Sequence, residues 1–303
     1  MHINEVAVSN QSPTNAVPSE PNAGRMLMRI IRRYPGRLSL TGGLVVAENA
    51  LELLYPLAAG IAIDAVISGD LAMALAMVAV IFGLWVIGAV REAVDSRVYA
   101  GIYANLAGDV IDAERRGGIA ATTTIVHTNL TRQFVDFFEV QVPVFATALV
   151  SILGSVIMLL ILNTKIGLVA LALMVLSAVL ARRYMRISEC IAEYLHDRQE
   201  TEPQTVTSGS KTRVERHFRV LAGRRVQLSD MEASAYLFVG FVAASLFGAL
   251  FWMLTGQDGV TGGTLYVLMS YIWTFALNLD RMPEHLQALG KVRDLGRRID
   301  TGT

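Results

Sequence analysis

Six apolar stretches, at about 38–67, 71–96, 134–163, 166–185, 235–256 and 263–284, dominate the chain, and each holds the roughly 20 mostly apolar residues needed to cross about 30 Å of hydrocarbon. Backbone in lipid must satisfy its own hydrogen bonds, so runs of this length fold as spanning helices. The sequence therefore predicts an all-α membrane protein with six transmembrane helices. A hydrophobic share of 53% against 17% charged residues agrees with a bilayer as solvent. The single cysteine, Cys190, excludes an internal disulfide framework, and His2, His127, His196, His217 and His285 are too scattered for a metal site. No metal or cofactor is expected, nor enzyme chemistry or nucleic-acid binding.

The connections alternate in character. Ser68-Gly69-Asp70, Asn163-Thr164-Lys165 and Thr255 to Gly259 read as tight turns on one side of the membrane. The connections after the second and fourth spans are long, polar and still helical in pattern, so those helices should continue well beyond the lipid. Ten of the 26 basic residues lie between Arg182 and Arg225, whereas Lys165 is the only one in the short turns. The positive-inside rule then places both termini in the cytoplasm, with the chain in the inner membrane.

Residues 1–24, rich in Asn, Ser and Pro and without an apolar core, read as a disordered tail. Residues 25–37 alternate Arg25, Arg29, Arg32, Arg33 and Arg37 with Met26, Leu27, Met28, Ile30 and Ile31. That pattern suits an amphipathic elbow on the inner membrane surface or a simple basic flank of the first span. Residues 38–300 then form one membrane domain.

Local patterns narrow the family. Tyr55-Pro56, Gly60 and Ile63-Asp64 before Gly69-Asp70, then Asn129-Leu130-Thr131-Arg132 with Asp136, and finally Gly262-Gly263-Thr264 leading through an apolar span to Arg297-Arg298-Ile299 occur in this order. The chain resembles the transmembrane domain of ABC exporters, of the type IV plan, over about 25–300. The resemblance implies six helices with long cytoplasmic extensions and a domain-swapped homodimer, because six spans make half of the family's pathway. In that family an ATPase domain follows the sixth span, and short coupling helices in the inner connections dock on it. Here the usual glycine near His127 is replaced and Pro203 interrupts the second connection, which puts docking in doubt. No Gly-x-x-x-x-Gly-Lys-Ser/Thr phosphate loop occurs, since Gly209-Ser210-Lys211-Thr212 lacks the earlier glycine. The chain is thus expected to carry the transport path without a nucleotide-binding domain. It is similar in plan to the proton-coupled peptide antibiotic uptake proteins of bacterial inner membranes. That likeness implies protons, a peptide-like or siderophore-like solute and membrane lipids as partners; a separate ATPase subunit and a non-transporting scaffold are the rival readings.

Proton coupling needs carboxylates inside the membrane, so intramembrane acids become the candidate residues. Glu48 and Glu52 share one face of the first span at i and i+4, with Glu48 roughly 15 Å past Leu38 at the helical rise and so near the bilayer centre. They suit a proton site, and equally a hydrogen bond to a neighbouring helix through Asn49 or Asn278. Asp280, before Arg281 and Pro283, suits a cavity role or a local ion pair at a bent helix end. Glu92 and Asp95 suit a cavity role, although Arg91 and Asp95 at i, i+4 spacing also suit a structural ion pair. Asn49, Tyr55 and Asn278 are candidate substrate contacts. Trp85, Trp252 and Trp273 are expected to anchor and pack rather than to bind solute.

Overall fold

A computed structural model describes residues 31–118, 120–200, 206–207 and 210–301. The expected tail 1–24, the elbow residues up to 30 and Pro203 lie outside the described residues. Helices α1 (Pro35–Ser68), α2 (Leu71–Gly117), α3 (Ala121–Asp136), α4 (Val142–Leu162), α5 (Thr164–Glu200), α6 (Lys211–Leu254) and α7 (Gly262–Thr301) follow one another, and a π-helical turn, Phe137–Gln141, joins α3 to α4 in one rod. Among the described residues there is no strand, in keeping with the all-α expectation.

Each tight turn has a local cause. Gly69 closes α1 in the left-handed region at φ 81°, where its N–H bonds back to the last turn, and Asp70 then caps α2 by accepting from Met73 N at 3.1 Å. Asn163 Oδ1 accepts from Ile166 N at 3.2 Å and starts α5 in the same manner. Gly256 and Gly259 take positive φ between α6 and α7. On the other side, α2 runs to Gly117, α5 to Glu200, and α6 begins at Lys211, so the extensions there are helical over these described residues.

Five helices are long and apolar enough to cross a membrane: α1, α2, the α3–α4 rod, the 28-residue stretch Thr164–Ile191 of α5, and α6. The sixth expected span is helical but falls short of that apolarity. The reason lies in its position, because α7 packs against α1, α4 and α6. Its Leu268, Tyr271, Ile272 and Phe275 recur at i, i+3, i+4, i+7 and are at most 1% exposed. A helix surrounded by protein needs less apolar surface than one facing lipid. Ile152, Val156 and Leu159 of α4, Ile166 and Ala170 of α5, and Val242, Leu246 and Leu250 of α6 complete this main core. Trp85, Trp252 and Trp273 stay on outer surfaces.

α1 and α7 approach closely where two glycines meet. A Cβ on Gly60 would come within 2.8 Å of the Gly263 carbonyl oxygen and would also strike Val267. Beside this contact Asp64 holds the start of α7: Oδ1 accepts from Gly263 N at 2.8 Å and Oδ2 from Thr261 Oγ1 at 2.7 Å. A carboxylate at a helix N-terminus satisfies free N–H groups and complements the helix dipole. Gly60→Val is expected to lower stability by about 1–3 kcal/mol, because a backbone carbonyl cannot move aside as a side chain can. Thermal unfolding of the purified protein in detergent measures this, and an unchanged midpoint would contradict it.

A second, smaller core joins the start of α1 to the later part of α2. Val98, Tyr99, Ile102 and Leu106 of α2 and Val135 of α3 are buried there, with Tyr34 and Leu38 packed against them. Two basic residues at the entry to α1, Arg33 and Arg37, are fastened to protein. Arg33 pairs with Asp109 at 2.5 Å, Asn105 Nδ2 donates to Tyr34 Oη at 3.1 Å, and the Arg33 and Arg37 guanidiniums lie 5.6 and 5.9 Å from the Tyr34 ring centroid. In the third-span motif, Arg132 and Asp136 form an exposed i, i+4 pair at 3.8 Å, an arrangement that contributes little.

The α2–α3 hairpin contains one contact the sequence reading did not anticipate. Glu114 is buried and pairs with His127 Nδ1. Burial pushes the Glu114 carboxyl up, but hydrogen bonds from Thr124 and His127 and the His127 charge outweigh it, holding the carboxyl below the ordinary glutamate range. The folded hairpin therefore keeps Glu114 ionised to lower pH than the unfolded chain does. Its stabilisation is complete above the unfolded value of about 4.3 and is lost as pH falls through the depressed folded value. Hydrogen exchange of the hairpin amides is expected to accelerate over that acidic window in the native protein, and Glu114→Gln should remove the step. An identical acid response in both proteins would contradict this role.

Candidate functional site

Helical spacing brings polar residues of four segments to one place. Glu48 and Glu52 of α1 lie one turn apart, as do Arg91, Glu92, Asp95 and Ser96 along α2, and Asn278 and Arg281 on α7. With Glu139 in the π-helical turn and Val140, Pro143, Val144, Thr147 and Ala148 after it, they line a cavity of about 390 Å³. The volume falls within the range of small-molecule sites.

Pro143 lies in the wall and Pro56 one turn beyond Glu52. Pro56 has no N–H to give the Glu52 carbonyl four residues earlier, and Pro143 likewise withholds the usual α-helical donor from the Glu139 carbonyl. Around Glu139 the helix widens instead: Val142 N bonds to Phe137 O, five residues back. Such π-turns re-aim side chains and recur at functional sites. Near the Pro56 turn, the buried Tyr271 hydroxyl donates to the Leu53 carbonyl at 2.6 Å and ties α7 to α1.

At the centre, Arg91 joins α1 to α2. Its Nε pairs with Glu48 Oε2 and its Nη1 lies 3.4 Å from Asp95 Oδ2. The Glu48, Arg91 and Asp95 side chains are only 17%, 23% and 7% exposed, so each charge depends on the others for compensation. Gly88, one turn before Arg91, leaves room for Glu48, since a Cβ there would sit 3.2 Å from Oε1. Asp95 Oδ1 is buried without a hydrogen-bond partner. Glu48 and Asp95 thus share one guanidinium beside the cavity.

The candidates from sequence divide. Glu48, Glu52, Glu92, Asp95 and Asn278 all line the cavity, and so does Arg281. Asp280, Asn49 and Tyr55 do not. Asp280 is half-buried on another face of α7. Asn49 is 4% exposed and donates Nδ2 to Val45 O at 2.7 Å within its own helix, while Oδ1 has no partner. Tyr55 lies beside Tyr266. The i, i+4 pair of Arg91 and Asp95 exists, but Arg91 also reaches across to Glu48, so structural pairing and cavity lining are one arrangement. Glu139 was missed, although a carboxylate five residues into the third apolar stretch is the same signal that singled out Glu48.

Comparison with known proteins adds a family. A family model described as ABC transporter transmembrane region matches residues 27–263, more than half of the chain. Curated proteins gave no match. The helical plan with several membrane-spanning segments fits that description, and the matched range contains every cavity residue except Asn278 and Arg281. This multi-pass membrane protein belongs to the ABC transporter transmembrane region family.

Proposed function

We propose that the protein moves peptide-like or siderophore-like solutes across the inner membrane by alternating access, drawing on the proton gradient through Glu48, Glu52 and their neighbours. The observation that carries this reading is the Glu48–Arg91–Asp95 cluster facing a cavity inside the helical bundle. Ionisable groups at such depth cost on the order of 3 kcal/mol or more when they face lipid, so their retention favours a working site. Protonation of one carboxylate frees Arg91, changes the attraction between α1 and α2, and biases their packing. The functional unit is a homodimer, with α7 as the sixth crossing and both termini cytoplasmic.

Purified protein in proteoliposomes with an imposed pH gradient tests the reading. Gradient-dependent movement of solute, abolished by dissipating the gradient, is the expected result. Transport that ignores the gradient and requires ATP with a second protein would overturn it. The family match, to an ABC transporter transmembrane region, also supports that second reading, a membrane subunit energised by an ATPase.

A further inference from the structure

We propose that the cavity selects organic cations, solutes bearing an ammonium or guanidinium group; the inference rests on the transporter reading above and names its substrate class. Five carboxylates line the cavity, those of Glu48, Glu52, Glu92, Asp95 and Glu139, against two guanidiniums, Arg91 and Arg281. Arg91 is committed to Glu48 and Asp95. Among the described residues no cation pairs with Glu52, Glu92 or Glu139.

A separate observation points to a missing donor. Asp95 is 5% exposed, lines the cavity, and keeps Oδ1 without a hydrogen-bond partner while Oδ2 holds Arg91. An ionised carboxylate oxygen accepts only, so what completes it must donate. Buried polar atoms are normally satisfied, so this unpaired oxygen adds acceptor capacity beside the cavity.

The remaining wall strengthens the selection. Val140, Pro143, Val144 and Ala148 form an apolar side, and low-dielectric walls concentrate the field of fixed charges. An anionic solute meets like charge on every acidic wall. Within the proposed solute classes, amine-bearing and guanidine-bearing peptides are therefore favoured, and carboxylate-rich siderophore-like solutes are rejected. Arg91 supplies an internal precedent, since it seats a guanidinium between Glu48 and Asp95 in the same cavity.

The test uses the full chain in phosphatidylcholine nanodiscs, with empty nanodiscs as the control for lipid binding. Radiolabelled short peptide amides of lysine, glutamine and glutamate are compared at neutral pH, and spermidine is added as a competitor. The lysine peptide is expected to bind roughly tenfold or more tightly than the glutamine peptide, with affinity falling as salt rises, and the glutamate peptide should not bind. Glu92→Gln and Glu139→Gln should each weaken lysine-peptide binding several-fold, whereas Glu139→Asp, which keeps the charge, should retain it. Competition by spermidine would extend the class to free polyamines, and its failure would confine it to peptides. Equal or tighter binding of the neutral or anionic peptide overturns the proposal, as does unchanged binding in both glutamine variants.

Gradient-driven accumulation separates this proposal from the energy source. Accumulation of the glutamate peptide would uphold proton coupling and defeat cation selection. Tight binding of the lysine peptide without any response of its movement to pH would do the reverse.

Discussion

Arg91→Met is expected to destabilise the protein by about 3 kcal/mol, the lower end of what breaking a buried ion pair costs, because the cavity lets water reach part of the cluster. Arg91 is the only cation paired with Glu48 and Asp95 among the described residues. Removing it leaves two carboxylates in low dielectric, where they either repel or take up protons. Thermal unfolding in detergent should show a lowered midpoint. Adding Glu48→Gln and Asp95→Asn to Arg91→Met should recover most of the loss, since replacing all partners removes the uncompensated charge as well as the attraction. If the triple variant is no more stable than Arg91→Met alone, the cluster is not the source of the effect. Transport should stay lost in the triple variant, which separates the structural share of Arg91 from its functional one.

The second large effect concerns Glu48 and Glu52 together. Glu48→Gln with Glu52→Gln is expected to reduce gradient-driven accumulation roughly tenfold or more, on the scale of losing a positioned proton-transfer group. Exchange of solute between two sides at equal pH should fall much less, because the amides keep shape and hydrogen bonding while losing the titration. Full accumulation by the double variant would exclude these two residues as the coupling site. Loss of both activities in parallel would assign them to solute binding alone.

Much of this was legible in the chain itself. Six apolar stretches separated by Gly69-Asp70, Asn163 and the glycines 256 and 259 placed the turns correctly, because turn chemistry is local: a positive φ or a short capping side chain acts on its neighbours. Glu48, Glu52, Glu92 and Asp95 stood out because charge inside an apolar helix is rare enough to need a reason. Asp280 carried the same signal, yet the rotation of α7 turns Asn278 and Arg281 to the cavity instead. Depth follows from counting residues. Facing depends on which neighbour packs where.

By itself, the sequence determined the helical class, the order of long rods and short turns, and the intramembrane acids, since periodicity, hydropathy and turn residues are properties of contiguous segments. Tertiary structure alone decided that Arg91, besides its i, i+4 partner Asp95, also pairs with Glu48, forty-three positions away. It also decided that Pro143 and its π-turn bring Glu139 to the same wall, and that α7, the least apolar of the expected spans, runs through the core. Each of these depends on the rotation and approach of whole helices. Those are set by the summed packing of side chains far apart in the chain, and no single segment encodes them.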